Sequence, residues 1–333
     1  MLNNPFASKT YETIWLKHFS NGAEATTFGS VKGVKFVKHS KLPYYENIGR
    51  NLTNGMTYQL DLKADDLKGR VVVVYDVPDY FSTENYDNSS NIKVNKIKQY
   101  KGLSSNLDEF ESLEDVLQSC FGSKSKSRFK GRVRQIESSF NISQKVYFGS
   151  ISKEEYKNDM QTLKELLFKR FDQRNEHNTV LPIWSFYEEL IYDLILEKKV
   201  VFNVIYDESK PIAMSINYVY DHIVVVAIRT FDIEYYKYNI GNYEVYKLFD
   251  WSLQNGISEL DFSKGEVDYK RRWSNREYTY EHHIIYDSKS IKAVLIGKSL
   301  SNLLKFKQYL RDKKVNTMYV KLKHLKKKIL FQK

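Results

Sequence analysis

The chain has 333 residues, of which 42% are hydrophobic and 28% charged, and a formal net charge of +11. These proportions exclude wholesale disorder and allow two domains with a substantial buried core. No apolar run approaches membrane-spanning length. The opening Met1-Leu2-Asn3-Asn4-Pro5-Phe6 has neither a basic start nor an apolar signal segment, so a cytoplasmic location is expected.

The charge is unevenly spread. From Arg311 onward there are nine cations against the single anion Asp312, which predicts a local basic patch rather than a uniformly basic nucleic-acid binder. The lone cysteine, Cys120, excludes an internal disulfide. Near Phe110, Leu113, Val116 and Leu117 on an amphipathic segment, it reads as a packing thiol rather than a nucleophile.

In chain order, Ser8 is placed to cap a helix carrying Tyr11, Ile14, Trp15, His18 and Phe19. Strands follow around Ala25 to Phe28 and Lys35 to His39. The turn-rich segment from Pro43 to Arg50 either lines a cleft or lays its tyrosines on the core. Val71 to Tyr75 is a buried strand that Pro78 ends. Between Tyr80 and Leu107 the Asn-, Ser- and Lys-rich sequence lacks a clear period and reads as loop with one edge strand. Leu113 to Leu117 is helical. In the basic stretch from Ser123 to Glu137, cations including Arg128 and Arg132 either hold phosphate at a helix start or form a solvated face.

Met160, Leu163, Leu167 and Phe171 mark one amphipathic helix, and Trp184, Tyr187, Ile191 and Leu194 or Ile195 a second. Strands at Val200 to Tyr206 and Ile212 to Tyr220 flank the turn Asp207-Glu208-Ser209-Lys210-Pro211. The continuously apolar run Ile223 to Ile228 is the third strand of this meander, buried on both faces. After a polar, aromatic link, Asn239 or Asn242 can cap a helix whose apolar face is Val245, Leu248, Phe249 and Leu253, and Asn255-Gly256 stops it. Ile257, Leu260 and Phe262 form the next strand, closed by the turn from Ser263 to Glu266.

Strand, loop, helix and strand in this order set the positive end of a helix beside a strand end, where an anion is favoured. Gly241 would let a pyrophosphate approach the backbone, and Lys237 or Lys247 would add charge; alternatively Gly241 is only a helix-start residue. His282 and His283 lie on a further strand and point to opposite faces, and no metal-binding motif accompanies them, so no metal is expected. C-terminal helices are expected from about Lys298. Met318, Leu322, Leu325 and Ile329, with lysines round the remaining surface, suit either an anionic membrane or docking on the protein.

The run Asn239-Ile240-Gly241-Asn242-Tyr243, then Gly256, Leu260-Asp261-Phe262, Gly265-Glu266 and Tyr269-Lys270-Arg271-Arg272-Trp273, resembles the C-terminal half of one group of GNAT-superfamily proteins. These are the CelD-like or BioF-like acetyltransferases, relatives of the Fem-type peptidoglycan-bridge transferases. Pro5, Phe6, Ser8 and Trp15, with the Ser-Lys-Ser-Arg segment ending at Arg128, extend the resemblance into the first half. Ile240 stands where a proline is usual, and the glycine-rich Q/R-x-x-G-x-G/A signature of ordinary GNAT enzymes is absent.

The resemblance implies an α+β fold of two GNAT-like domains, each a mixed, mostly antiparallel sheet flanked by helices. The expected domains are 1–150, 151–296 with the donor site, and a basic helical tail at 297–333. It also implies N-acyl transfer from acetyl-CoA or another acyl-CoA to an amine, such as an amino sugar in surface polysaccharide or glycolipid biosynthesis. Asn239, Ile240, Gly241, Asn242 and Tyr243 would then hold the donor. Asp232 or Glu266 would act as base or substrate anchor, Tyr269 as proton donor or hydrogen-bonding group, and Lys270 and Arg272 as electrostatic contacts. Arg128, Arg132, Arg272 and Trp273 would contact substrate, with Trp273 in the core or the cleft wall.

Two other functions fit the same residues. A Fem-type aminoacyl transferase would take its acyl group from aminoacyl-tRNA, the one reading with a nucleic-acid partner. A non-catalytic binding protein would keep a degenerate GNAT fold. Peripheral membrane association would run through the basic tail. No serine-histidine-aspartate order, Walker loop or dinucleotide fingerprint points elsewhere.

Overall fold

The computed structural model describes residues 3–50, 52–81, 91–176, 178–313 and 315. Helix α1 (Lys9–Phe19) starts where Ser8 Oγ accepts the Tyr11 N–H at 3.1 Å. Strands β1 (Thr26–Phe28), β2 (Val31–Lys38), β3 (Tyr45–Asn47), β4 (Gln59–Leu60) and β5 (Val71–Pro78) follow. Next come β6 (Ile92–Asn106), α2 (Leu113–Cys120), α3 (Ser123–Ser139) and β7 (Ile142–Tyr147). A capping box between Ser152 and Glu155 opens α4 (Lys153–Arg174), which leads to α5 (Trp184–Leu196).

The meander is β8 (Val200–Asp207), β9 (Lys210–Tyr220) and β10 (Ile223–Phe231). It is followed by α6 (Ile240–Gln254), β11 (Glu259–Lys264), α7 (Asp268–Trp273), β12 (Arg276–Asp287) and α8 (Ile291–Asp312).

These elements form two compact units, each discontinuous in sequence. The first comprises residues 1–25, 52–57 and 101–278, and the second residues 26–51, 58–100 and 279–333. The expected boundary at 150/151 falls inside the first unit, between β7 and α4.

In the first unit β7, β8, β9 and β10 pair antiparallel in sequence, β10 pairs parallel with β11, and β11 pairs antiparallel with the 102–106 part of β6. The β10–β11 register runs from Ile223↔Glu259 to Val225↔Asp261, and the β10–β9 register shifts at Val226/Ile228. One core holds Val201 and Ile205 of β8, Val245, Leu248 and Phe249 of α6, and Phe129, Val133 and Ile136 of α3. The basic stretch therefore has a buried apolar seam beneath its cations.

In the second unit β2 pairs antiparallel with β1, β3 and β4, β3 pairs parallel with β5, and β5 pairs antiparallel with β12. Helix α8 packs Ala293, Leu300 and Leu304 among Val71, Val73, Tyr75, Ile284 and Tyr286. Gly297 permits that approach, because a Cβ there would stand 2.8 Å from the Tyr286 ring. Both units are thus mixed, mostly antiparallel sheets with flanking helices, which is the expected α+β architecture.

Two expectations change. The 80–107 segment contains a 15-residue strand, β6, rather than mainly loop. Its buried positions include Gln99, Ser104 and Ser105, so no apolar alternation announces it. Helix α8 begins at Ile291, capped by Ser290, not near Lys298. Strand β7 was not foreseen. The segment from Pro43 to Arg50 does lay a tyrosine on the core: Tyr44 is buried, and Arg50 pairs with Glu46 at 2.7 Å.

His282 Nδ1 accepts the Asp76 N–H at 3.2 Å, while the His283 ring sits between the Tyr58 hydroxyl at 2.8 Å and Glu281 at 3.0 Å. Among the described residues no group of three or more His, Cys, Asp or Glu side chains converges as for a metal. Cys120 is half-buried, and burial pushes its thiol up to about 12. No described helix is long and apolar enough to cross a membrane. The stripe from Met318 to Ile329 lies outside the described residues.

Candidate functional site

The site is built at the C-terminal end of β10. Asp232 ends the strand by accepting the Glu234 N–H at 3.1 Å and pairing with Lys210 at 2.8 Å, which opens a short 3-10 helix over Ile233–Tyr238. Asn239 closes that turn in the left-handed region (φ 65°) and starts α6. Its side-chain oxygen accepts from Asn242 Nδ2 at 2.7 Å, and its carbonyl accepts the Tyr243 N–H at 3.2 Å. The N–H groups that open the helix, at Ile240 and Gly241, have no intrahelical acceptor, and the helix dipole is positive there.

Gly241 is helical, so its conformational freedom is not what the site uses. A Cβ would stand 2.9 Å from Cδ1 and Cε1 of Phe231. The missing side chain lets that ring lie against the helix start.

Beside this helix start is a cavity of about 610 Å³. Five cations line it: Arg132 from α3, Arg170 from α4, Arg229 from β10, Lys237, and Arg272 from α7. Phe231, Tyr236 and Tyr269 supply aromatic wall, and Asn239, Gly241 and Asn242 the rim of the helix start. No carboxylate appears among the described residues that line it.

Arg229 is only 13% exposed and is held from below. Its Nη2 lies 2.7 Å from Glu244 Oε2 and 2.5 Å from the Gly241 carbonyl oxygen, and its guanidinium sits 4.5 Å over the Tyr269 ring. The other Glu244 oxygen accepts from Ser215 Oγ at 2.6 Å and Asn203 Nδ2 at 3.1 Å. Burial alone would lower the Arg229 pKa, but the Glu244 carboxylate outweighs it and the pKa is raised. At Arg170 burial dominates: with the neighbouring Arg229 and Arg174 it brings the pKa down to about 10 against the opposing pull of Tyr269 and Glu176, and the guanidinium rests 4.2 Å over the Phe231 ring.

Residues 131–271, which hold most of these groups, match the model of the acetyltransferase (GNAT) domain. That segment is a GNAT acyltransferase domain, and the fold agrees. FemX has a similar structure with a TM-score of 0.59 and 11% identity, over 87% of this chain and 94% of that one. A conserved protein of unknown function from Bacteroides thetaiotaomicron VPI-5482 gives 0.50 and 8%, over 85% and 90%. L-PGS from Bacillus licheniformis gives 0.49 and 11%, over 90% and 98%. No curated protein matches the sequence.

Of the candidate residues, the first unit brings Asn239, Gly241, Asn242, Tyr269, Arg132 and Arg272 together at the cavity. Ile240 and Tyr243 turn into the core instead, and the Tyr243 hydroxyl donates to Glu137 at 3.0 Å. Trp273 is fully buried, stacked on Phe249 with centroids 5.2 Å apart, and its Nε1 donates to Asn242 Oδ1 at 2.9 Å. It orients a cavity residue from behind.

Lys270 Nζ donates to the Lys264 carbonyl at 2.7 Å; burial brings its pKa down to about 8, against the opposing pull of Asp261. Glu266 is exposed and pairs with Arg271 at 2.7 Å. Arg128 is exposed one turn before Arg132 on α3. Asp232 is not among the lining residues, being the cap already described.

Sequence reasoning missed Arg170, Arg229 and Glu244. A signal existed for two of them: Arg229 follows a buried apolar strand run directly, and Glu244 interrupts the apolar side of a helix beside Val245. Charged residues at positions whose neighbours are core are rarely idle.

Proposed function

We propose that the GNAT domain transfers an acyl group from acetyl-CoA or another acyl-CoA to an amine, and that the cavity at the start of α6 receives the donor's phosphates. The observation that carries this reading is a helix N-terminus facing five cations, one of them already matched by Glu244. A ligand bearing a diphosphate and a phosphomonoester matches the remaining charge and the open helix N–H groups. Tyr236, exposed at the cavity wall, offers a ring face for a base.

The donor supplies the thioester carbonyl. The chain supplies orientation and positive charge near a developing oxyanion, with Tyr269 at the cavity edge to hold or pass the proton lost by the acceptor amine. The resemblance to the CelD-like group favours an amino sugar of a surface polysaccharide or glycolipid as acceptor, and acyl-CoA supply favours a cytoplasmic reaction.

A second reading rests on Lys124, Arg128 and Arg132, which are exposed at four-residue spacing on α3 and lead to the cavity. Such a row suits a longer polyanion, the acceptor end of an aminoacyl-tRNA. Thermal unfolding separates the two. CoA should raise the midpoint, and Arg170→Ala should shrink the rise by weakening binding about tenfold or more. A midpoint unmoved by saturating CoA but raised by aminoacyl-tRNA would overturn the first reading in favour of the second.

A further inference from the structure

Helix α8 is apolar on two opposite sides. Ala293, Gly297, Leu300 and Leu304 face the sheet of the second unit and are buried. At roughly 100° per residue, Ile291, Leu295, Phe306 and Tyr309 fall together on the far side around a single polar residue, Asn302, with Leu303 at the margin. All five are exposed, Ile291 to 80% and Phe306 to 57%. An ordinary surface helix carries polar residues there, so this second stripe needs an occupant.

The charges indicate which. Lys298 and Lys305 border the stripe on one side and Lys307 on the other, while Lys292 lies within it. The helix holds a single acidic residue, Asp312, at its last position. An apolar stripe edged by lysines matches a helix lying in the plane of an anionic bilayer, its apolar side among the acyl chains and its ammonium groups at the phosphates. A second copy of the chain fits less well, because a symmetric contact through this stripe would set lysines against lysines.

We propose that α8 docks the protein on an anionic membrane surface through Ile291, Leu295, Phe306 and Tyr309. This goes beyond the reading of the catalytic cavity and does not depend on it. The residues are exposed, so polar substitution leaves the packing of the second unit intact.

The test is co-sedimentation of the full chain with vesicles of phosphatidylglycerol and phosphatidylcholine, and with phosphatidylcholine alone. Binding is expected only to the anionic vesicles. Leu295→Ser with Phe306→Ser should lower the partition coefficient at least about tenfold, and each of Lys298→Ser and Lys305→Ser about fivefold. The lysine-rich residues beyond Lys313 can attract anionic vesicles by charge alone, so the apolar variant decides.

Unchanged binding by Leu295→Ser/Phe306→Ser would overturn the proposal, as would no binding at all. Wild-type self-association in sedimentation velocity that this variant abolishes, without vesicle binding, would overturn it in favour of an interface between copies. Loss of CoA binding with membrane binding retained would count against the donor site alone.

Discussion

At the scale of single residues, the GNAT domain keeps two kinds of buried cation. Arg229 is compensated by Glu244 and stays charged, so its position is fixed at the cavity floor. Lys270 bonds to a backbone carbonyl, and burial brings its pKa to about 8. Below pH 8 the folded and unfolded chains both carry that proton, and the folded state bears the cost of a buried charge. Between about pH 8 and the ordinary lysine value the folded chain releases it while the unfolded chain retains it, so stability rises with pH across that window. Urea titrations from pH 7 to pH 10.5 should show wild type gaining on the order of 2 kcal/mol relative to Lys270→Met. Parallel profiles for the two proteins would show that Lys270 titrates as an exposed lysine does.

At the scale of elements, the junction of β10 and α6 concentrates the site's geometry. Phe231 ends the strand, Gly241 sits in the first helical turn, and the Arg170 guanidinium rests 4.2 Å over the ring. Gly241→Ala brings a methyl against a half-buried ring that can swing outward, so the effect should fall on the cavity more than on the fold. We expect a change in unfolding free energy within about 1 kcal/mol, since helix propensity favours alanine by a similar amount. The CoA-induced rise in midpoint should nevertheless shrink. An undiminished rise would mean that the Phe231 position is irrelevant to the ligand.

This junction was partly legible in the sequence. The apolar run, the choice of Asn239 or Asn242 as helix start and the Asn255-Gly256 stop locate α6 by local chemistry, although the Asn239 side chain makes no capping bond, and Gly241 stands out for backbone access. Its actual constraint, an aromatic ring ten residues earlier, is a tertiary contact that no periodicity reports. Arg170 escaped for the same reason: on a helix remote in sequence, it looks like one more surface cation of α4. Strand β6 escaped because buried serines carry no hydrophobic signal.

For the whole molecule, the sequence order of the elements differs from the grouping of their cores. A cut at 150/151 separates the α3 side chains Phe129, Val133 and Ile136 from the β8 and α6 residues they pack against. It also removes from β11 its partner β6, and from β8 its partner β7. Each buried aromatic or aliphatic side chain left bare forfeits about 1.5–3 kcal/mol, so three or four exceed the low end of the roughly 5–15 kcal/mol that holds a domain together. Residues 151–296 expressed alone should therefore lack a cooperative unfolding transition. Coexpressed 1–150 and 151–333 segments should associate and regain one near that of the intact chain, because together they restore both discontinuous units. A 151–296 segment that unfolds cooperatively close to the full-length midpoint would show that the contributions of α3, β6 and β7 to the first core are dispensable.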